Sequence, residues 1–509
     1  MLRATAGAMA VTIALTTSAY AEQSAISFAE RLAVAEILAK DPLLSDFYAD
    51  RDYEPLWVGA DGASQARLAQ FLAALAQVGD HGLPAERYDL SGLMDRLRST
   101  RSAAEMITLE ADITRLYLTY ARDVGTGLLR PSSISKKELV RVVTPVPPEA
   151  LLEAIASDDP RKAIADLPPQ SAQYRGLQAL KLRMEALVAA GGWGEAIPDG
   201  RKLEIGSTDP RVLTLRARLA RLGYEVEQDL PVYDPALERV VKTFQADNGL
   251  NDDGVVGPGT LAELNRSAEE RLRSVIVALE RERWLPRELG DRHVLVNQTD
   301  FIARIIDDGA VTFATRAVIG KNVYDQRSPE FSDEMEHMVI NPAWHVPRSI
   351  VTKEYLPQLQ ADPMAVNYLE IRDRSGQVIS RDAVDFTQFT QADFPFAMRQ
   401  PPGRSNALGL VKFMFPNRHN IYLHDTPHKS LFARERRAFS HGCIRLQDPF
   451  DFAYALLAKQ EEDPKAFFQR VLATGREATV PLEQNVPVHL IYRTAWIGPE
   501  GEIWFRRDV

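Results

Sequence analysis

Apolar residues recur at helical spacing from Ser27 to about Ala190 and change to strand spacing beyond His293. In the first stretch, Ser27 and Glu30 make a capping box ahead of Leu32, Ala35 and Leu38. Leu68, Leu72, Leu75 and Val78 share one helical face, which Gly79 stops. Ile113, Leu116, Tyr117 and Tyr120 form another, ended by Gly125 and Gly127. Pro131, Pro145, Pro147 and Pro148 punctuate the chain beyond it. No catalytic triad, metal-ligand spacing or phosphate loop falls in this stretch, so residues 22–200 read as a helical scaffold domain.

A linker at 191–206 leads into a compact unit at 205–268. Asp209 and Pro210 open a helix with Val212, Leu215, Leu219 and Leu222 on one side, closed by Gly223 and Tyr224. A second helix carries Leu237, Val240, Val241 and Phe244 and closes at Asn248 and Gly249. The tight turn from Gly254 to Thr260 feeds a third. About 60 residues with three short helices can close a small core of their own.

From His293 onward, short runs rich in β-branched residues predict strands at 294–296, 301–305, 311–313 and 315–319. A polar, partly helical insert at about 353–402 interrupts them. Strand character returns at 410–415 and 420–423, and 450–457 reads as a helix. The tail, with 488–492 and 503–505 around Gly498 and Gly501, reads as a closing hairpin. The predicted fold is multidomain α+β: helical scaffold, small three-helix bundle, and a mostly-β domain at 290–509 with an insert.

The 509 residues suggest about three domains. With 45% apolar and 26% charged residues, the chain is neither disordered, collagen-like nor a disulfide framework. A net charge of −10 argues against nucleic acid as a partner. Arg3, the apolar run at 8–15 and the small-x-small site Ala19-Tyr20-Ala21 predict a secretory signal peptide at 1–21, cleaved or retained as an anchor, and export to an oxidising compartment. Export sharpens the cysteine count, because the one cysteine, Cys443, is then a buried bystander, an intermolecular bridge or a thiol kept for its reactivity.

Cys443 stands in Ser440-His441-Gly442-Cys443-Ile444-Arg445, and upstream lies Tyr422-Leu423-His424-Asp425. A thiol attacks a carbonyl well as thiolate, so a base or cation that lowers its pKa is expected beside it. A histidine at a strand end can take the thiol proton and return it to a leaving amine, once an acceptor on its other nitrogen fixes the tautomer. Backbone N–H groups around the nucleophile are the simplest oxyanion donors, and Gly442 allows close approach.

Tyr422-x-His424 followed by Ser440-His441-Gly442-Cys443 resembles the signature of the YkuD-type L,D-transpeptidases. Residues 205–268 resemble the three-helix peptidoglycan-binding domain through Phe244-Gln245 to Gly249-Leu250 and the Gly254 to Thr260 turn. Phe47-Tyr48, Trp57 and His81-Gly82-Leu83-Pro84 resemble the scaffold of the large Gram-negative members. Asn341-Pro342-Ala343-Trp344 and Asn406 to Gly409 resemble their catalytic domain, in which an insert like 353–402 caps the site.

The resemblance implies that Cys443 is the nucleophile and His424 the general base and acid, oriented by the backbone carbonyl of Asp425. It gives Ser440 and His441 the shaping of the nucleophile loop, and the oxyanion hole to the N–H groups of Gly442 and Cys443. Substrate contacts are expected from Arg445, Tyr422, Trp344 and Ser440. Many members carry Asn where this chain has Arg445, which suits either a substrate carboxylate held bidentately or a structural ion pair. No metal or other cofactor is expected.

Between Arg404 and Arg445 there are eight Lys or Arg against Asp425 and Glu435, a local excess in an acidic chain. That suits an anionic partner, and peptidoglycan stem peptides are the expected donor and acceptor. The expected reaction is a 3→3 cross-link made through a Cys443 thioester with release of D-Ala. A carboxypeptidase or endopeptidase, a wall-protein coupling transpeptidase and a non-catalytic wall-binding scaffold are the alternatives, with other cell-wall enzymes as further partners.

Overall fold

A computed structural model describes residues 35–38 and 41–509, so the predicted signal peptide and the capping box of Ser27 and Glu30 lie outside the described residues. The chain forms two compact units, one ending at Leu128 and resuming at Thr144–Gln170, the other comprising Leu129–Val143 and Ser171–Val509.

In the first unit, helices Pro42–Ala49, Gly62–Ala76, Leu90–Ser99, Ala103–Thr126 and Pro148–Ala156 gather around Trp57, Phe71, Tyr117 and Tyr120. Ser102 and Glu105 cap the longest of these reciprocally. Glu110 is buried among them and accepts hydrogen bonds from the Tyr48 hydroxyl at 2.6 Å and from the N–H groups of Leu56, Trp57 and Val58. Those donors let a carboxyl sit in an apolar core, although burial still pushes its pKa up.

In the second unit, helix Ala172–Ala189 shares an apolar cluster with helix Ala268–Arg283 through Tyr174, Leu177, Val275 and Leu279. The sequence pattern groups the first of these helices with the scaffold, but its apolar stripe finds its partner downstream. Three helices, Arg211–Arg221, Pro235–Asp247 and Pro258–Leu264, close around Leu215, Leu219, Tyr233 and Phe244.

The strands in chain order are β1 (Arg292–Asn297), β2 (Ile302–Asp307), β3 (Ala310–Gly320), β4 (Phe331–Ile340), β5 (Trp344–His345), β6 (Glu370–Arg372), β7 (Ala397–Gln400), β8 (Val411–Met414), β9 (Leu423–His424), β10 (Ala438–Ser440), β11 (Ile444–Leu446), β12 (Ala478–Ile491), β13 (Ala495–Ile497) and β14 (Ile503–Phe505). Nine of them form one mixed sheet in the order β10-β3-β11-β9-β8-β4-β12-β1-β2, and β2 also pairs with β3, which closes it. Helix Pro449–Leu457 covers the apolar face, with the ring of Phe452 4.8 Å from that of Phe413.

Three expectations change. The strands predicted at 311–313 and 315–319 are one strand, β3, whose length lets it pair with β2, β11 and β10. The predicted tail strand at 488–492 is the end of β12, drawn into parallel pairing with β1, so the closing hairpin is β13 with β14. The insert has an apolar core of its own, including Val351, Leu359, Ile371, Phe386, Phe394 and Met398, over a small sheet β5-β7-β6.

Candidate functional site

Side chains alternate across a strand, and the alternation here separates core from chemistry. Val411 and Phe413 of β8, Leu423 of β9, and Ile444 and Leu446 of β11 face the apolar core. The intervening residues turn to the opposite face. Lys412 is in register with His424 across the antiparallel pair β8 and β9. Arg445 is in register with His424 across the parallel pair β9 and β11. Lys412, His424 and Arg445 therefore form a row across three adjacent strands. Tyr422 and Cys443 lie two residues upstream of His424 and Arg445, and the Ile444 N–H donates to the Tyr422 carbonyl at 3.1 Å.

The loop around Cys443 is held from within and from the β3–β4 connection. Ser440 Oγ donates to the Cys443 carbonyl at 2.6 Å and accepts from the Gly442 N–H at 3.1 Å. Ser328 Oγ donates to the Gly442 carbonyl at 2.6 Å. Gly442 has φ +114°, a conformation that a side chain disfavours, and a Cβ there would come to 3.1 Å from Ile421. Cys443 is partly exposed, and its thiol donates to the Asn420 carbonyl at 3.4 Å.

His424 is 4% exposed, and its Nδ1 lies 2.5 Å from the Asp425 carbonyl. With Nδ1–H donating to that carbonyl, Nε2 carries the lone pair. The Asp425 carboxylate acts elsewhere: Oδ2 accepts from the Leu410 N–H at 2.9 Å and Oδ1 from the Thr426 N–H at 2.7 Å and Lys429 Nζ at 2.8 Å. Gly409 lies against it so closely that a Cβ there would stand 2.2 Å from Oδ2.

The electrostatics differ from the sequence expectation of an acidified thiol. Burial raises the Cys443 thiol to about 11, against the opposing pull of Tyr422, Arg445 and Lys412. Burial, then the charges of Arg445 and Lys412, take His424 down to about 3, with the carbonyls of Asp425 and Leu408 opposing. The resting pair at neutral pH is thiol and neutral imidazole. Local basic charge lowers a thiol's pKa only where it outweighs the loss of water, and here it does not.

Other expectations are redistributed. Ser440 is 2% exposed, and its hydroxyl is engaged within the loop rather than with a substrate. The Gly442 N–H, expected in the oxyanion hole, is turned to Ser440. His441 Nε2 points out of the loop to Glu354 Oε1 of the insert, 2.6 Å away. Trp344 stands in the insert's sheet, its ring edge-on to Tyr355 at 6.4 Å. Of the basic residues, Arg437 is spent on the carbonyls of Ala317, Asp300 and Phe301, and Lys429 on Asp425 and the Gln447 carbonyl. Arg445 makes no ion pair among the described residues, and its buried Nε has no hydrogen-bond partner. A cavity of about 630 Å³ opens elsewhere, between Arg292, Asp307, Glu334 and Asn485, and is not lined by Cys443.

A partly exposed cysteine one residue ahead of β11, a histidine of fixed tautomer on the neighbouring β9, and the cations Lys412 and Arg445 in register with that histidine are the equipment a thiol acyltransferase needs. Residues 291–488 match the L,D-transpeptidase catalytic domain, YkuD, and the chain therefore carries a YkuD-type L,D-transpeptidase domain. Residues 42–180 match a scaffold domain and 208–264 a "Putative peptidoglycan binding domain". A "Putative L,D-transpeptidase" of Haemophilus influenzae is 33% identical over 216 residues, 42% of this chain and 43% of that protein. The match thus spans under half of the relative. A "Probable CtpA-like serine protease" of Staphylococcus epidermidis is 38% identical over 58 residues, 11% of this chain and 12% of that one. A solved L,D-transpeptidase from Stackebrandtia nassauensis is 14% identical and matches over 58% of this chain and 97% of its own, with a TM-score of 0.23.

Proposed function

We propose that this chain is a periplasmic L,D-transpeptidase that joins peptidoglycan stem peptides by 3→3 cross-links. The observation that supports the reading is that β9, which carries His424, pairs with β11, which begins directly after Cys443, and that Nδ1 of His424 is held by the Asp425 carbonyl. In the acylation step the Sγ proton passes to His424 Nε2 as Sγ bonds to the carbonyl carbon of the third stem residue. The C–N bond to D-Ala breaks, and its nitrogen takes the proton from His424. The Cys443 N–H serves the developing oxyanion, since that of Gly442 is engaged. An amine of a second stem then attacks the thioester carbonyl, giving up a proton to His424, which returns it to the departing sulfur.

Mass spectrometry of a disaccharide-tetrapeptide incubated with the protein tests this. The expected products are D-Ala and a cross-linked dimer, both lost in Cys443→Ala. Tripeptide without dimer would make the protein a carboxypeptidase, and an absence of D-Ala would overturn the reading. A carbapenem, whose strained carbonyl can occupy the donor position, is expected to leave a one-to-one adduct in the intact mass that Cys443→Ala abolishes.

A further inference from the structure

The register of β8 places Lys412 beside His424 on the side opposite Arg445. Its side chain is partly buried, and its ammonium lies 5.9 Å from the centre of the Tyr422 ring. Burial lowers its pKa, and the groups that act against this are Glu477 and Cys443. Glu477 is exposed and occupied by the Ala343 N–H at 3.1 Å. Lys412 makes no ion pair with a carboxylate among the described residues, and neither does Arg445. Two cations that have given up part of their hydration without gaining a counter-ion are costly to keep in a fold. The cost is recovered when an anion arrives from outside.

Resting on the transpeptidase reading, we infer that Lys412 is a specificity-determining residue, which with Arg445 seats a carboxylate of the acyl donor across His424. The donor has this chemistry in two places, the α-carboxylate of the leaving D-Ala and the free carboxylate of its diaminopimelate side chain. Seating it has a second effect. The Lys412 and Arg445 charges are what disfavour protonation of the His424 ring after burial itself, and a bound carboxylate offsets both. His424 then becomes a better acceptor for the Cys443 proton only while an acidic donor is in place. A neutral amide that enters the site meets a weaker base, so the row of Lys412, His424 and Arg445 discriminates in the chemical step as well as in binding.

The test compares three donors: the free tetrapeptide, the same peptide amidated at its C-terminus, and the same peptide amidated on the diaminopimelate side chain. Each is assayed with the intact protein, Lys412→Met and Lys412→Arg. The intact protein is expected to favour the free acid over one of the amides by about tenfold or more in kcat/KM, the scale of one charge-assisted hydrogen bond. Lys412→Met should bring that ratio close to one by losing rate on the acid, while Lys412→Arg restores most of it. The amide that loses the preference identifies which carboxylate is seated. Alkylation of Cys443 by iodoacetamide reports that each variant keeps its nucleophile loop. Turnover with the same acid-to-amide ratio in Lys412→Met overturns the role of Lys412 and leaves the transpeptidase reading standing. A protein that turns over none of the donors overturns the reading itself, and Lys412 with it.

Discussion

His441 Nε2 and Glu354 Oε1 lie 2.6 Å apart, joining the residue two before Cys443 to the first turns of the insert. Glu354 is presented by a π-helical turn, Val351–Tyr355, an uncommon conformation that places it off the ordinary helical track. The neighbouring Lys353 pairs with Asp325 of the β3–β4 connection at 2.6 Å. The insert is thus fastened to the catalytic sheet beside Cys443 by two adjacent residues.

The His441–Glu354 pair is partly exposed and the Lys353–Asp325 pair exposed, so Glu354→Ala is expected to cost under about 1 kcal/mol of stability. Its effect on products should be larger. A loosened insert admits water to the thioester, and the ratio of hydrolysed tripeptide to cross-linked dimer rises. Adding Lys353→Ala should raise it further. Product analysis by mass spectrometry checks this, and an unchanged ratio in the double variant would remove the insert from acceptor selection.

With the thiol at about 11, Cys443 alkylation should climb with pH without levelling off in the neutral range. Iodoacetamide rates are expected to rise about tenfold per pH unit from 6 to 9. Titration of the rate well below about 8.5, the ordinary thiol value, would show an activated thiolate instead.

Arg445→Lys keeps the charge and loses the planar fork. The kcat/KM for the free-acid donor is expected to fall by about tenfold or more, with alkylation of Cys443 by a neutral reagent nearly unchanged. No ion pair is lost, so the melting temperature should shift little. A large drop in melting temperature accompanied by slower alkylation would instead make Arg445 structural.

His424, at about 3, and His489, at about 4, are held neutral in the fold chiefly by burial. An unfolded histidine titrates near 6.5, so below that the unfolded chain binds the extra protons. Stability is therefore full above about pH 6.5 and falls as pH drops toward 4, by about 1.4 kcal/mol per unit for each residue. His489 bonds Ser332 Oγ at 2.8 Å and the Leu289 carbonyl at 2.9 Å, and His489→Gln should flatten the slope. Urea unfolding at pH 7, 5.5 and 4.5 reads it, and a flat profile would count against buried neutral imidazoles.

The orientation of the His424 imidazole by the Asp425 carbonyl is legible in the sequence because the resemblance that implies it is carried by the short local motif Tyr422-x-His424. The three-helix module is legible for the same reason, its turns being written in Gly and Pro. Lys412 is visible only as one charge in a basic run, since nothing local says that β8 will lie beside β9 in that register. Glu354 lies far upstream of His441, and only the fold brings them together. Strand β4 is hidden because Ser332, Asp333, Glu334 and Glu336 weaken its β character, although Phe331, Met335 and Met338 are buried. The titration of Cys443 and His424 is set by how much water the fold removes, a quantity no spacing of residues encodes.

Gly409 carries no functional side chain, yet there is no room for one between it and Asp425. Any larger residue would displace the Asp425 carboxylate, and the shift would pass along one residue of backbone to the carbonyl that orients His424. Genetic variation at position 409 should therefore be as scarce as at the reacting residues. In a selection for drug resistance, the tolerated changes should cluster on the insert and around Arg445, and spare this glycine.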